Sequence, residues 1–209
     1  MSAKHRALRL GLTGGVGCGK STAAAVLKEL GAAVVDADAI SHSLTMAGGA
    51  AVEPILAQFG AQMGDGQGGI DRRALGELVF AQPQQRRALE GILHPAIQKE
   101  MMRQIDAADQ EGAPVVVLDV PLLYECGLDA LCDQVWVMSV DQEQQVLRVL
   151  KRDQISRDQA LSRIRSQMPL EEKRARAQRV VDTGRSEAEV KNELKRLYRE
   201  LTKEIARRG

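Results

Sequence analysis

Eight consecutive residues, Gly14-Gly15-Val16-Gly17-Cys18-Gly19-Lys20-Ser21, follow the pattern G-x-x-x-x-G-K-[ST]. These types at this spacing suit one task, the holding of a chain of phosphates. Glycines let backbone N–H groups converge on phosphate oxygens, and a helix beginning at the loop adds the positive end of its dipole. Lys20 would bridge the β- and γ-phosphates, Ser21 would hold Mg²⁺, and Thr22 continues the run. Cys18 fills a variable position and reads as a small filler rather than a reactive thiol. A glycine-rich turn without a ligand would need neither the lysine nor the hydroxyl.

A second group of chemical interest is Asp36-Ala37-Asp38, which closes a short apolar run. A carboxylate at such a strand end can orient an acceptor hydroxyl toward a γ-phosphate or take its proton. The same residues also suit a solvated turn or a helix cap, so chemistry alone leaves both readings open. Nor does a phosphate loop name a reaction, because switches, motors and small-molecule kinases share it. A Ras-like GTPase would read guanine with Asn-Lys-x-Asp, whereas the single asparagine, Asn192, precedes Glu193.

The elements that must position these groups alternate between apolar runs and helical periodicity, the mark of an α/β fold around a parallel sheet. Strands are predicted at Leu8–Leu12, Ala33–Asp36, Val115–Val120 and Val135–Val140, with a short fifth at Val180–Asp182. Between the second and third, Leu75, Leu78, Val79, Leu89, Ile92, Leu93, Ile97, Met101 and Ile105 recur at helical spacing. That stretch is far longer than a crossover requires, so an inserted helical subdomain is expected. Ser156-x-x-Gln159 and Ser186-x-x-Glu189 read as capping boxes, and Gly48–Ala51 and Gly64–Gly69 read as loops.

The 209 residues carry 29 Lys plus Arg and 28 Asp plus Glu, a formal net charge of +1. Such a balance, with five scattered aromatic residues, argues against a nucleic-acid binder. The near-neutral total conceals an asymmetry: residues 1–147 hold 11 basic and 18 acidic side chains, while 148–209 hold 18 and 10. The excess base in the last third suits small phosphorylated ligands. Apolar runs are too short to span a bilayer, and residues 1–9 lack the apolar stretch of a signal peptide. Three cysteines with no Cys-x-x-Cys pair fit a reducing compartment, so a cytoplasmic protein is expected. His5, His42 and His94 lie on different segments, which argues against a metal cluster.

Taken together, Leu12–Thr22, Val35-Asp36-Ala37-Asp38, Leu93-His94-Pro95, Asp119-Val120-Pro121-Leu122-Leu123-Tyr124-Glu125 and Arg152-Asp153 resemble, in order, the dephospho-CoA kinase family. The resemblance implies a P-loop core with a five-stranded parallel sheet flanked by helices. It implies ATP-dependent phosphorylation of the ribose 3′-hydroxyl of dephospho-CoA, with Mg²⁺ accompanying ATP. Carried over residue by residue, it makes Asp38 the base and Asp119 a ligand of Mg²⁺ through water. Pro121, Leu122, Leu123 and Glu125 would line the acceptor site with Asp38 and His94, and Arg73 would meet the acceptor's diphosphate. Lys20 and Arg148 would be catalytic, and Arg148 and Arg152 would face the transferring phosphoryl group beside the phosphate loop.

Surface roles compete for several of these residues: a structural histidine at His94, a solvated helix face for Arg72 and Arg73, and salt bridges for the lid arginines. Two positions depart from the family's pattern: His42 stands where an arginine is usual, and Val181-Asp182-Thr183-Gly184 lacks an asparagine usual near the last strand. The expected layout is a nucleotide-binding core at about 7–40, 113–152 and 179–209, an acceptor-binding insertion at about 41–112 and a lid at about 153–178. Partners are expected to be ATP and dephospho-CoA, with no nucleic acid and no membrane, acting on a monomer or weak homo-oligomer. Other small-molecule or nucleotide kinases, such as an adenylate-kinase-like enzyme, a nucleotide-driven switch and an assembly ATPase remain the alternatives.

Overall fold

The computed structural model describes residues 6–208, apart from the side chains of 80, 81 and 208; His5 therefore lies outside the described residues. Five strands, β1 (Leu8–Gly14), β2 (Ala33–Asp36), β3 (Val115–Asp119), β4 (Gln134–Ser139) and β5 (Arg179–Asp182), form one sheet in the order β2-β3-β1-β4-β5. The pairs of β1 with β3, β1 with β4 and β4 with β5 are parallel. Helices α1 (Lys20–Glu29), α2 (Ala37–Thr45), α3 (Val52–Phe59), α4 (Arg72–Ala81), α5 (Pro83–Gln110), α6 (Gln142–Asp153), α7 (Arg157–Arg165), α8 (Leu170–Arg176) and α9 (Glu187–Arg208) supply the rest.

β3 and β4 are buried along nearly their whole length because helices and loops cover both sheet faces there. On one face Leu10, Leu12, Val117, Trp136, Met138 and Val181 pack with α1 and α9 through Val26, Leu27, Leu194 and Leu201. The opposite face comes so close to the following loop that a Cβ added at Gly11 would lie 2.8 Å from Leu123 and from Cys132. Register then does the positioning. Leu12 lies beside Asp119 and Thr13 beside Val137, so the residues after β1 emerge next to the acidic end of β3.

The chain divides into two compact units: one is Asp36–Asp106, and the other comprises the residues up to Val35 and from Ala107 on. The smaller unit is helical. Asp36 caps α2 by accepting from the N–H groups of Asp38 and Ala39, and Asp71 caps α4 through Arg73 and Ala74. In the larger unit both expected capping boxes form. Ser156 accepts from the Gln159 N–H at 3.2 Å, and the Ser186 N–H donates to Glu189 at 3.0 Å. Helices α6 and α7 share a small cluster of their own, in which Val146, Val149 and Ala160 are buried against Val16 of the phosphate loop.

Leu12 is fully buried at the center of the sheet. Leu12→Ala is expected to lower unfolding stability by about 2–5 kcal/mol, read as an earlier midpoint in urea.

Candidate active site

Between the last residue of β1 and the first of α1 the chain turns through Gly15–Gly19. Gly17 and Gly19 have φ of 79° and 78°, the left-handed region where a side chain is strained. Gly19 is the N-cap of α1 and contributes no side-chain hydrogen bond, so the first-turn N–H groups of that helix have no local acceptor. Such a helix end favors an anion.

Three consecutive carbonyls of this loop are held from one side. Gln145 Nε2 donates to the Val16 oxygen at 2.7 Å. The Arg148 guanidinium donates to the Gly17 oxygen at 3.4 Å, and Thr183 Oγ1 donates to the Cys18 oxygen at 3.0 Å. In a trans peptide the C=O and the next N–H point in opposite directions. Turning these carbonyls toward α6 and the segment after β5 therefore turns the N–H groups of Gly17 and Gly19 the other way, while the Cys18 N–H is taken by the Gly15 carbonyl at 3.1 Å. Arg148 also donates to Thr183, to its hydroxyl at 3.1 Å and to its carbonyl at 2.6 Å, which joins two of the three supports. Gln145 and Thr183 are buried, and Gln145 lies so close to the loop that a Cβ at Gly15 would sit 2.5 Å from its amide nitrogen.

Lys20 leaves the first turn of α1 to pair with Asp119 at the end of β3, Nζ to Oδ1 2.5 Å, with only 17% and 6% of the two side chains exposed. Ser21, the next residue, is exposed. Cys18 is buried in the core cluster, and burial raises its thiol pKa, which fits a filler. Beside Gly15 opens a cavity of about 940 Å³, bounded by Gln144 of α6, Arg165 and Gln167 of the α7–α8 region, Arg174 of α8 and Arg185 after β5.

The two aspartates of Asp36-Ala37-Asp38 have separate fates: Asp36 is spent on the cap of α2, while Asp38 is exposed in the first turn of that helix. His94 and Pro95 lie within α5, where His94 is exposed. Arg73 pairs with Glu77 four residues on, and Arg72 meets the His42 ring. Arg148 and Arg152 take different directions, the latter pairing with its neighbor Asp153 at 2.6 Å.

In the loop Pro121–Glu125, Leu122 is partly exposed, while Leu123 is wholly buried, filling the space over Gly11. Tyr124 is buried too, its ring 4.1 Å beneath the Arg176 guanidinium. Glu125 is held by Lys173 Nζ at 2.8 Å and by the Met168 N–H at 2.9 Å. Burial pushes the Glu125 carboxyl up, but Lys173 together with the N–H groups of Glu125 itself and Met168 outweighs it and holds it below the ordinary value.

The supports Gln145, Thr183, Gln167 and Lys173 were not singled out from the sequence. Gln145 alone left a trace, as a polar residue beside Val146 and Val149 on the buried side of α6.

A parallel sheet with a glycine-rich loop, a lysine paired to a strand-end aspartate and helices beyond the strand ends define a P-loop nucleotide-binding protein. A sequence model of dephospho-CoA kinase matches residues 8–189, and the chain belongs to that family. It is 50% identical to a dephospho-CoA kinase of Symbiobacterium thermophilum, over 83% of this chain and 72% of that one. It is 43% identical to one of Bacillus licheniformis, over 91% and 94%. Among solved structures, TT1252 from Thermus thermophilus superposes with a TM-score of 0.81 at 34% identity, covering 94% of this chain and 99% of that one. A dephospho-CoA kinase from Campylobacter jejuni gives 0.71 at 30% identity, covering 93% and 97%.

Thr183→Val removes one carbonyl support without changing size and is expected to raise the KM for ATP about tenfold, since a buried acceptor left unmade costs about 1–3 kcal/mol. Steady-state kinetics at saturating acceptor would show it. For the Glu125–Lys173 pair, a depressed carboxyl pKa stabilizes the fold above the ordinary value of 4.5 and ceases to do so as pH falls through the lower folded value. Melting curves should therefore show Glu125→Gln less stable than the unaltered chain near neutrality, the gap closing as the pH drops below 4.5.

Proposed function

We propose that this kinase transfers the γ-phosphoryl group of ATP to the ribose 3′-hydroxyl of dephospho-CoA, releasing CoA and ADP. The observation that carries the reading is the braced phosphate loop, with Lys20 and Asp119 paired beside it. A loop whose Gly17 and Gly19 N–H groups are already turned to one side binds a polyphosphate with less reorganization, the condition for strong electrostatic stabilization. Family membership supplies the acceptor.

The larger unit carries the nucleotide and the lid, about 153–178; the helical insertion, about 41–112, serves the acceptor. Asp38 orients the 3′-hydroxyl for in-line attack and receives its proton. Lys20 lies along the β- and γ-phosphates, and Arg148 and Arg152 add positive charge at the start of the lid, where negative charge develops. His94, Arg73, Pro121, Leu122, Leu123 and Glu125 contribute to the acceptor site.

Mg²⁺ fits the donors present. The Ser21 hydroxyl and the Asp119 carboxylate are hard oxygen ligands, and no cluster of three or more His, Cys, Asp or Glu side chains suited to a metal occurs among the described residues. That set matches an ion bound chiefly through phosphate oxygens and water, with Ser21 direct and Asp119 through water. When bound, the ion neutralizes charge on the β- and γ-oxygens. No helix among the described residues is long and apolar enough to cross a membrane.

The reading predicts that ADP forms from Mg·ATP only when dephospho-CoA is present, with CoA identified by mass. Equal ADP release without acceptor would overturn it. Asp38→Asn should lower kcat by about 10²–10⁴-fold and leave the KM for ATP nearly unchanged; full turnover in that variant would remove Asp38 from the mechanism.

A further inference from the structure

Residues 167–173 make four side-chain or main-chain contacts that the reaction as described does not use. Gln167 Oε1 accepts from the Val16 N–H at 3.0 Å, on the same residue whose carbonyl Gln145 holds. The Met168 N–H donates to Glu125. Lys173 Nζ reaches both the Glu125 carboxylate at 2.8 Å and the Pro121 carbonyl at 2.9 Å. The Pro121 oxygen also accepts from Thr13 Oγ1 at 3.0 Å, directly before the phosphate loop. One short stretch thus fastens the apex of the phosphate loop to the Pro121–Glu125 loop.

The stretch runs directly into a helix. Gln167 precedes α8 and Lys173 ends its first turn, where the Lys173 N–H donates to the Pro169 carbonyl that opens the helix. Lys173 is also an expensive residue to place there, because its side chain is wholly buried. Burying a charge costs more than a paired geometry usually returns, and an apolar side chain of similar volume is often as stabilizing. A buried cation is therefore better explained by registry than by stability. Its partners are the two ends of the loop assigned to the acceptor.

We propose that Gln167 and Lys173 are positioning residues that couple the two substrates: Lys173 fixes the Pro121–Glu125 loop, and Gln167 carries the position of that loop to Val16 of the phosphate loop. The inference rests on the assignment of dephospho-CoA to the Pro121–Glu125 side. Occupation of either site then biases the other, and the bias is reciprocal. Neither residue donates to or takes a proton from the reacting atoms.

The test is calorimetric titration of dephospho-CoA into the full chain, with and without Mg²⁺ and a β,γ-imido analogue of ATP. The unaltered chain should bind dephospho-CoA at least about fivefold more or less tightly once the nucleotide is present. Gln167→Leu, a partly exposed position, should leave the melting temperature in place and bring that ratio to one. Lys173→Met should lower the melting temperature, because it leaves Glu125 without its buried partner, and should also bring the ratio to one; Lys173→Arg should restore the ratio, which a purely structural loss would not. An unaltered chain with no coupling, or a Gln167→Leu variant with the full ratio, overturns the proposal. Failure of the unaltered chain to bind dephospho-CoA at all overturns the acceptor assignment as well.

Discussion

A trans peptide cannot present both of its polar groups on one side, and a phosphate loop needs its N–H groups on the side of the ligand. The carbonyls must then be accommodated behind the loop, where unpaired acceptors are costly. In this chain Gln145 and Arg148 of α6, and Thr183 after β5, take up three of them in succession. The site depends on that arrangement. It explains why a glutamine is buried beside Val146 and Val149, and why Thr183 lies where it can accept from Arg148 and donate to Cys18. It also gives α6 a purpose beyond leading to the lid.

The parallel sheet makes such convergence possible with short side chains. Register puts Asp119 next to Leu12, so Lys20 crosses to it from the first turn of α1, and β4 and β5 deliver α6 and Thr183 to the flank of the loop. The opposite face is closed by Leu123 and Cys132 over Gly11. There the Pro121–Glu125 segment serves packing and polar bracing together: its leucine and tyrosine are buried, while its proline carbonyl and glutamate meet a buried lysine.

Much of this was legible in the chain. The five strands, the helical insertion, the capping boxes and the phosphate loop all depend on local patterns, which are periodicity, turn residues and a motif in its strand-to-helix context. Asp36-Ala37-Asp38 was half legible: the motif marked the place, but a strand-end reading could not tell that the first aspartate would be consumed as a cap. The burial of Leu123 was not legible, because a leucine next to partly exposed Leu122 looks the same in one dimension wherever its side chain goes. Lys173 left no trace, since a lysine among Glu171, Glu172 and Arg174 reads as a solvated helix face.

The sequence by itself determined the chemistry available: a phosphate-binding loop with its lysine and hydroxyl, strand-end carboxylates, a basic last third and the α/β order of elements. These follow from neighbors within a few residues, where backbone geometry ties pattern to structure. Only the tertiary structure decided which polar groups support others. The partners of the Val16, Gly17 and Cys18 carbonyls come from residues 145, 148 and 183, that of the Val16 N–H from 167, and those of Pro121 and Glu125 from residues 168 and 173 as well as Thr13. Contacts over such separations are set by strand register and helix packing, and a buried amide or ammonium carries no local signature of the carbonyl it will meet.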